Sequence, residues 1–214
     1  MAMLAGEGIM FKNAYSSTPT CTPARAALLT GRSPWNHGML GYGAIAARYP
    51  FEFPRTLASE GYYLAVAGKD HFGWNNSEGL NGSVSHGYED MQVYDGVIGQ
   101  PDEYTTWFAG AMNGSTPEIC YPNLDHNSWR GAANLCDESV LPTAWVGRRA
   151  VAFLRAHGEA GTNGVPPFLL KVSFVRPHSP YDPPARLLEQ TSADDVPPPA
   201  RSVDGWSERF RDAP

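Results

Sequence analysis

Cys21-Thr22-Pro23-Ala24-Arg25 is followed a few residues later by Leu28-Leu29-Thr30-Gly31-Arg32. Thr22-Pro23 reads as a helix start, with Thr22 as N-cap, Pro23 at the first helical position and Gly31 as the stop. Cys21 then stands just ahead of a helix N-terminus, where unpaired backbone N–H groups and the helix dipole favour an anion. Arg25 lies one turn on and can face the same point. The combination describes an oxyanion site with a reactive side chain at its mouth. The plain alternative is a core thiol near a surface arginine.

Two further segments carry polar groups that could share such a site. Gly68-Lys69-Asp70-His71-Phe72-Gly73 follows an apolar run over 62–67 that reads as a buried strand. In open α/β sheets the ligand crevice lies at the carboxyl ends of the strands. A lysine there can neutralise an anionic oxygen, and a histidine can shuttle a proton. Arg176-Pro177-His178-Ser179-Pro180 follows a second apolar run, 168–175, and holds His178 in a proline-rich turn. Taken singly, Lys69 and His71 read as a solvated loop pair and His178 as a structural loop histidine.

The elements that must position these residues alternate between helix and strand. Ile9 to Tyr15 reads as a short strand, Pro54 opens a helix that Gly61 ends, and Thr143 to His157 reads as the clearest helix. Thr143 is its expected cap, and Val146, Ala150, Phe153 and Leu154 are its apolar stripe. The alternation predicts an α/β fold with a mostly parallel sheet. Residues 73–142 are rich in Gly, Asn, Ser, Tyr and Trp and read as long loops with short helices.

The 214 residues suit one domain or a piece of a larger one, and 42% apolar with 18% charged residues suits a globular core. A net charge of -6 argues against nucleic acid as a partner. An anionic substrate would need a local cationic pocket. No apolar run is long enough to span a bilayer. Met1 to Met10 lacks a basic region and carries Glu7, so it reads as the end of a helix stopped at Gly8 rather than as a signal peptide. Cys120 and Cys136 are either a disulfide or two unrelated buried thiols, and an oxidising compartment predicts the disulfide. Sequons at Asn75, Asn81 and Asn113 point toward a secreted or lysosomal route for the full-length protein.

Cys21-x-Pro23-x-Arg25 followed by Thr30-Gly31-Arg32 resembles the active-site signature of the type I sulfatases. Cys, Pro and Arg at this spacing would arise by chance in about 1 in 40 chains of this length. With Gly31 and Arg32 the figure falls to about 1 in 16,000, so the match is specific. Phe11-Lys12-Asn13-Ala14-Tyr15 resembles the family's strand before the signature. The Lys69–His71 segment resembles its Gly-Lys-x-His-x-Gly motif, and Pro177-His178-Ser179-Pro180 its Pro-His-x-Pro motif. Ala24 stands where serine is usual.

The resemblance implies an alkaline-phosphatase-like α/β sandwich, incomplete in this chain. Residues 1–190 would be a partial catalytic domain, and 191–214 a proline-rich tail or the start of a further segment. It implies that a formylglycine-generating enzyme oxidises Cys21 to formylglycine, whose hydrate attacks sulfur. Arg25 would then steady the diol, Lys69 bind sulfate, His71 act as base for sulfate release and His178 contact the leaving oxygen. The implied substrate is a sulfated small molecule or carbohydrate, with Tyr181-Asp182-Pro183-Pro184 near the alcohol part.

The implied divalent metal is Ca2+. Cys21, as formylglycine, is the one ligand that carries over, since the family's Asp-Asp and Asp-Asn pairs have no counterpart in this sequence. Glu89-Asp90 and Asp194-Asp195 sit in the wrong context. Two alternatives stand beside a sulfuric ester hydrolase: a truncated, non-catalytic relative, and a formylglycine-dependent phosphonate or phosphodiester hydrolase. The expectation for the 214 residues alone is little or no hydrolysis of an aryl sulfate.

Co-expression with a formylglycine-generating enzyme is predicted to convert Cys21, and only partially, since Ala24 stands in place of serine. Peptide mass spectrometry reads the change, and a wholly unmodified Cys21 would remove the basis for this chemistry.

Overall fold

The computed structural model describes residues 2–43, 45–72, 84–96, 101–124, 127, 129–159 and 164–197. A short helix α1 (Ala2–Glu7) leads into an exposed, irregular segment. The strand expected over Ile9 to Tyr15 does not form. No described strand lies beside it to pair its backbone, and Ile9, Phe11 and Tyr15 are exposed.

The helix α2 (Cys21–Thr30) begins earlier than the Thr-Pro pair suggested. Thr20, with extended φ and ψ, is its N-cap, and its carbonyl accepts the first helical bond, from the Ala24 N–H at 3.1 Å. Pro23 is tolerated inside the first turn because N–H groups there have no helical partner. Thr22 is fully buried, and its hydroxyl accepts from the Gly43 N–H at 3.3 Å. Gly31 ends the helix in the left-handed conformation. Two short helices follow, α3 (Pro34–His37) and α4 (Phe53–Ser59).

A parallel three-stranded sheet forms the centre. Its strands are β1 (Tyr63–Gly68), β2 (Asp90–Val93) and β3 (Phe168–Ser173), in the order β2-β1-β3. β2 lies within the stretch read from sequence as loops with short helices. At four residues it is too short for a periodic signal to stand out. The helix α5 (Glu103–Ala111) follows β2, with Asp102 and Thr105 closing a capping box. The long helix α6 (Pro142–Glu159) precedes β3, and a short helix, α7 (Ala185–Leu188), follows it. Thr143 is not the cap of α6: the helix already includes Pro142, and the Trp145 N–H bonds the Leu141 carbonyl at 3.0 Å. Trp145, Val146 and Ala150 face the core, whereas Leu154 is exposed.

β1 is central and buried on both faces, as parallel strands covered by helices are. Leu64 and Val66 pack on one side with Ala26, Leu29, Tyr49, Phe72 and Tyr88. Ala67 packs on the other with Tyr94, Tyr104, Phe108, Trp145 and Val146. The strands end level, since Gly68 pairs with both Val93 and Ser173. Gly68 has φ +100°, and a Cβ there would overlap the Ser173 carbonyl oxygen and lie 3.2 Å from Val146 Cγ1. Glycine is therefore the residue this strand end can hold.

Gly68→Ala is predicted to destabilise the chain by at least about 2 kcal/mol, because the clash is with backbone. Gly147→Ala is the control. It sits inside α6, and a Cβ meets nothing within 4 Å. That change should stabilise by ~0.5–1 kcal/mol. Urea unfolding of both variants gives the two signs.

Candidate active site

Cys21, Lys69, His71 and His178 line one cavity of about 260 Å³ together with Tyr42, Asp95 and Ser179. They come from three parts of the fold. Cys21 is the first residue of α2, Lys69 and His71 leave the end of β1, and His178 lies on the loop after β3. Arg25 stands one layer behind. Its Nη1 donates to the Lys69 carbonyl at 2.9 Å, so α2 and the β1 end are tied together next to the cavity.

The loop after β1 is held by a carboxylate. Asp95 Oδ1 accepts the Asp70 N–H at 3.0 Å and the His71 N–H at 2.9 Å. His71 sits at φ +61°, a left-handed conformation uncommon for a non-glycine residue, and the paired acceptor offsets that strain. Asp95 is held in turn, its own N–H bonding Asp102 Oδ2 at 3.2 Å. The cap of α5 is thereby linked to the site.

The His178 loop is fixed from the other side. Its Nδ1 lies 2.8 Å from the Ser179 carbonyl, which can only accept, so Nδ1 carries a proton and exchange with a ligand passes through Nε2. Cys120 and Cys136 are bridged, which resolves the alternative left open by the sequence. The bridged loop is zipped onto the His178 loop. Ala132 N–H bonds the Tyr181 carbonyl at 3.0 Å, Asn134 N–H bonds the Pro183 carbonyl at 2.9 Å, and Ser179 Oγ donates to Asn127 Oδ1 at 3.2 Å. Asp182 is not offered to a substrate. It is buried, with Arg176 Nε at 2.6 Å and Asn134 Nδ2 at 2.9 Å.

Burial sets the electrostatics. It lowers the Lys69 ammonium from its ordinary value, with the Arg25 charge adding to the effect. His71, only 2% exposed, is pushed down to about 3, first by burial and then by Lys69 and Arg25. Its imidazole is therefore neutral at physiological pH. Tyr42 Oη lies 3.5 Å from His71 Nε2, and burial raises that phenol, which favours its protonated form. Behind the site, burial pushes the Asp70 carboxyl up and the Lys171 ammonium down. The Lys171 ammonium lies 4.6 Å from the centre of the Phe72 ring.

Asp95, Tyr42 and Asn127 were not singled out from sequence. Asp95 lies just beyond a strand too short to recognise, and an isolated Tyr or Asn carries no spacing signal. The carboxylates near the cavity do not suit a metal. Asp95 Oδ1 is committed to two amides and Asp70 Oδ1 accepts the Phe72 N–H at 3.2 Å. Among the described residues no group of three or more His, Cys, Asp or Glu is placed to hold an ion. Among them, too, no helix is long and apolar enough to cross a membrane.

The sulfatase family model matches residues 1–202. The chain belongs to the sulfatase family. It is 34% identical over 208 residues to an arylsulfatase of Clostridium perfringens, covering 92% of this chain and 41% of that protein. It is 27% identical over 186 residues to a choline-sulfatase of Rhizobium meliloti, covering 83% of this chain and 33% of the relative. The chain thus spans about two-fifths or less of the length of these relatives. The phosphonate monoester hydrolase of Agrobacterium radiobacter superposes on 92% of the chain and 39% of its own, with a TM-score of 0.63 and 19% identity. That likeness is one of fold: the chain shares the α/β architecture of that protein.

The neutral buried His71 predicts a signed pH effect in this chain. Above about pH 6.5 the ring is neutral both folded and unfolded. Between about 6.5 and 3 the unfolded chain takes up a proton that the folded chain refuses, so stability is lost as pH falls, by up to ~1.4 kcal/mol per pH unit. Asp70, raised by burial, works in the opposite sense. The difference between wild type and His71→Gln isolates the histidine. Wild type should lose stability relative to the variant as pH drops through that window, and parallel curves would show an exposed ring.

Proposed function

We propose that this chain carries the nucleophile and anion-binding part of a sulfuric ester hydrolase. The supporting observation is the convergence of Cys21, Lys69, His71 and His178 on one small cavity from segments up to 157 positions apart. Oxidised to formylglycine and hydrated, residue 21 supplies the nucleophilic hydroxyl. Lys69 pairs its ammonium with a sulfate oxygen. Arg25 holds the Lys69 carbonyl and places a second positive charge behind residue 21, which favours a deprotonated oxygen there. His71, kept neutral by burial, accepts the proton that must leave for sulfate to depart. His178, with Nδ1 committed to a carbonyl, presents Nε2 to the leaving oxygen. No step is routed through a metal, because the described carboxylates do not form a site for one; Ca2+ remains an expectation from the family.

The substrate is a sulfated small molecule or carbohydrate, and the partner in maturation is a formylglycine-generating enzyme. A secretory route is supported by the Cys120–Cys136 bridge and by the exposed turn that holds Asn113. Asn75 and Asn81 lie outside the described residues.

The test uses a chromogenic aryl sulfate. A version carrying the segments by which the relatives exceed this chain, matured with the modifying enzyme, should turn it over. Cys21→Ala and Lys69→Ala should each lower kcat/KM by roughly a hundredfold or more, equivalent to about 3 kcal/mol of transition-state stabilisation. Turnover that survives Cys21→Ala would move the nucleophile elsewhere.

A further inference from the structure

Asp95 is a carboxylate in the wall of a cavity built for an anion. It is 4% exposed and lines the same space as Cys21, Lys69, His71 and His178. It cannot swing aside, because its Oδ1 is the shared acceptor of the Asp70 and His71 amides. Its charge is felt by its neighbours: it counteracts the lowering of Arg25 and of Lys69 by burial, and it reinforces the raising of Asp70.

The charges around the cavity can be followed group by group. Arg25 and Lys69 are the cations next to residue 21. Arg176 is already paired with Asp182, and His71 is neutral. Behind the cavity Asp70 and Lys171 have opposite charges that cancel when both are ionised, so one carboxylate against two cations leaves a single positive excess among these groups. Sulfate monoesters, phosphonate monoesters and phosphodiesters each carry one negative charge. A phosphate monoester has a second ionisation near pH ~6 and is close to doubly charged above it. The second charge would meet Asp95 in a buried setting, where repulsion is poorly screened. Whatever other charges complete the site, the Asp95 carboxylate shifts the balance away from the doubly charged ester.

We propose that Asp95 makes the cavity a charge filter that takes singly charged esters and rejects doubly charged phosphate monoesters. The inference rests on the sulfuric ester hydrolase reading and specifies its substrate class by charge.

The test compares methyl sulfate with methyl phosphate at pH 8, binding being read by chemical-shift titration of the wild-type chain and of Asp95→Asn. Asparagine keeps an Oδ1 acceptor for both amides, so the variant should unfold at the wild-type midpoint. Wild type should prefer methyl sulfate, and Asp95→Asn should raise methyl phosphate affinity roughly tenfold relative to methyl sulfate. An unchanged ratio, or a wild-type preference for methyl phosphate, overturns the filter and leaves the hydrolase reading intact. Methyl phosphate binding that appears in Asp95→Asn, with no methyl sulfate binding by wild type, supports the filter while removing the sulfuric ester reading. No binding of either ester by either protein overturns both.

Discussion

The site depends on the close approach of two strand ends. The Ser173 carbonyl lies where a side chain of residue 68 would project, and it accepts the Lys69 N–H at 2.8 Å. On the other edge the Gly68 carbonyl accepts the Tyr94 N–H at 3.3 Å. One glycine is thus gripped by both neighbouring strands, and its freedom at positive φ lets the chain turn out of the sheet there. A register slip of one residue would put a Cβ against that carbonyl and swap the side chains of β1 between the two apolar clusters. The positions of Lys69 and His71 relative to His178 follow from this lock.

Charge then makes the place useful. Residue 21 opens a helix, Lys69 is buried against Arg25, and His71, kept neutral by burial, is held in its strained conformation by the bonds that its own amide and that of Asp70 donate to Asp95. Such an arrangement costs folding energy and persists because the surrounding packing over-determines it. Two apolar clusters supply that packing, one on each face of β1. The bridged 120–136 loop adds a second support, clamping the His178 loop through Tyr181, Asp182 and Pro183.

Much of this was legible in the sequence, for physical reasons. The three motifs combine rare residue types at fixed spacing, and strand ends are where α/β sheets gather ligands, so Cys21, Lys69, His71 and His178 could be named. The body of α2 and the strands β1 and β3 were readable from glycine punctuation and apolar runs, whereas the start of α2 was expected two residues late. What escaped was set by tertiary context. Ile9 to Tyr15 has strand-forming residues but no described partner strand. Thr22 has a capping side chain but spends it on the Gly43 amide, leaving the cap to Thr20. Leu154 fits the helical stripe but faces away from the core, whereas Trp145 fills it. β2 is four residues long, and Asp95 just beyond it acts through backbone amides that no spacing rule reveals.

A crystal structure of the formylglycine-containing protein grown with sulfate tests the central claim most directly: that the ends of β1 and β3 and the start of α2 form one anion site. The expected result is sulfate in the 260 Å³ cavity, touched by residue 21, Lys69, His71 and His178. Sulfate bound elsewhere, with the residue 21 side chain turned away from Lys69, would contradict it.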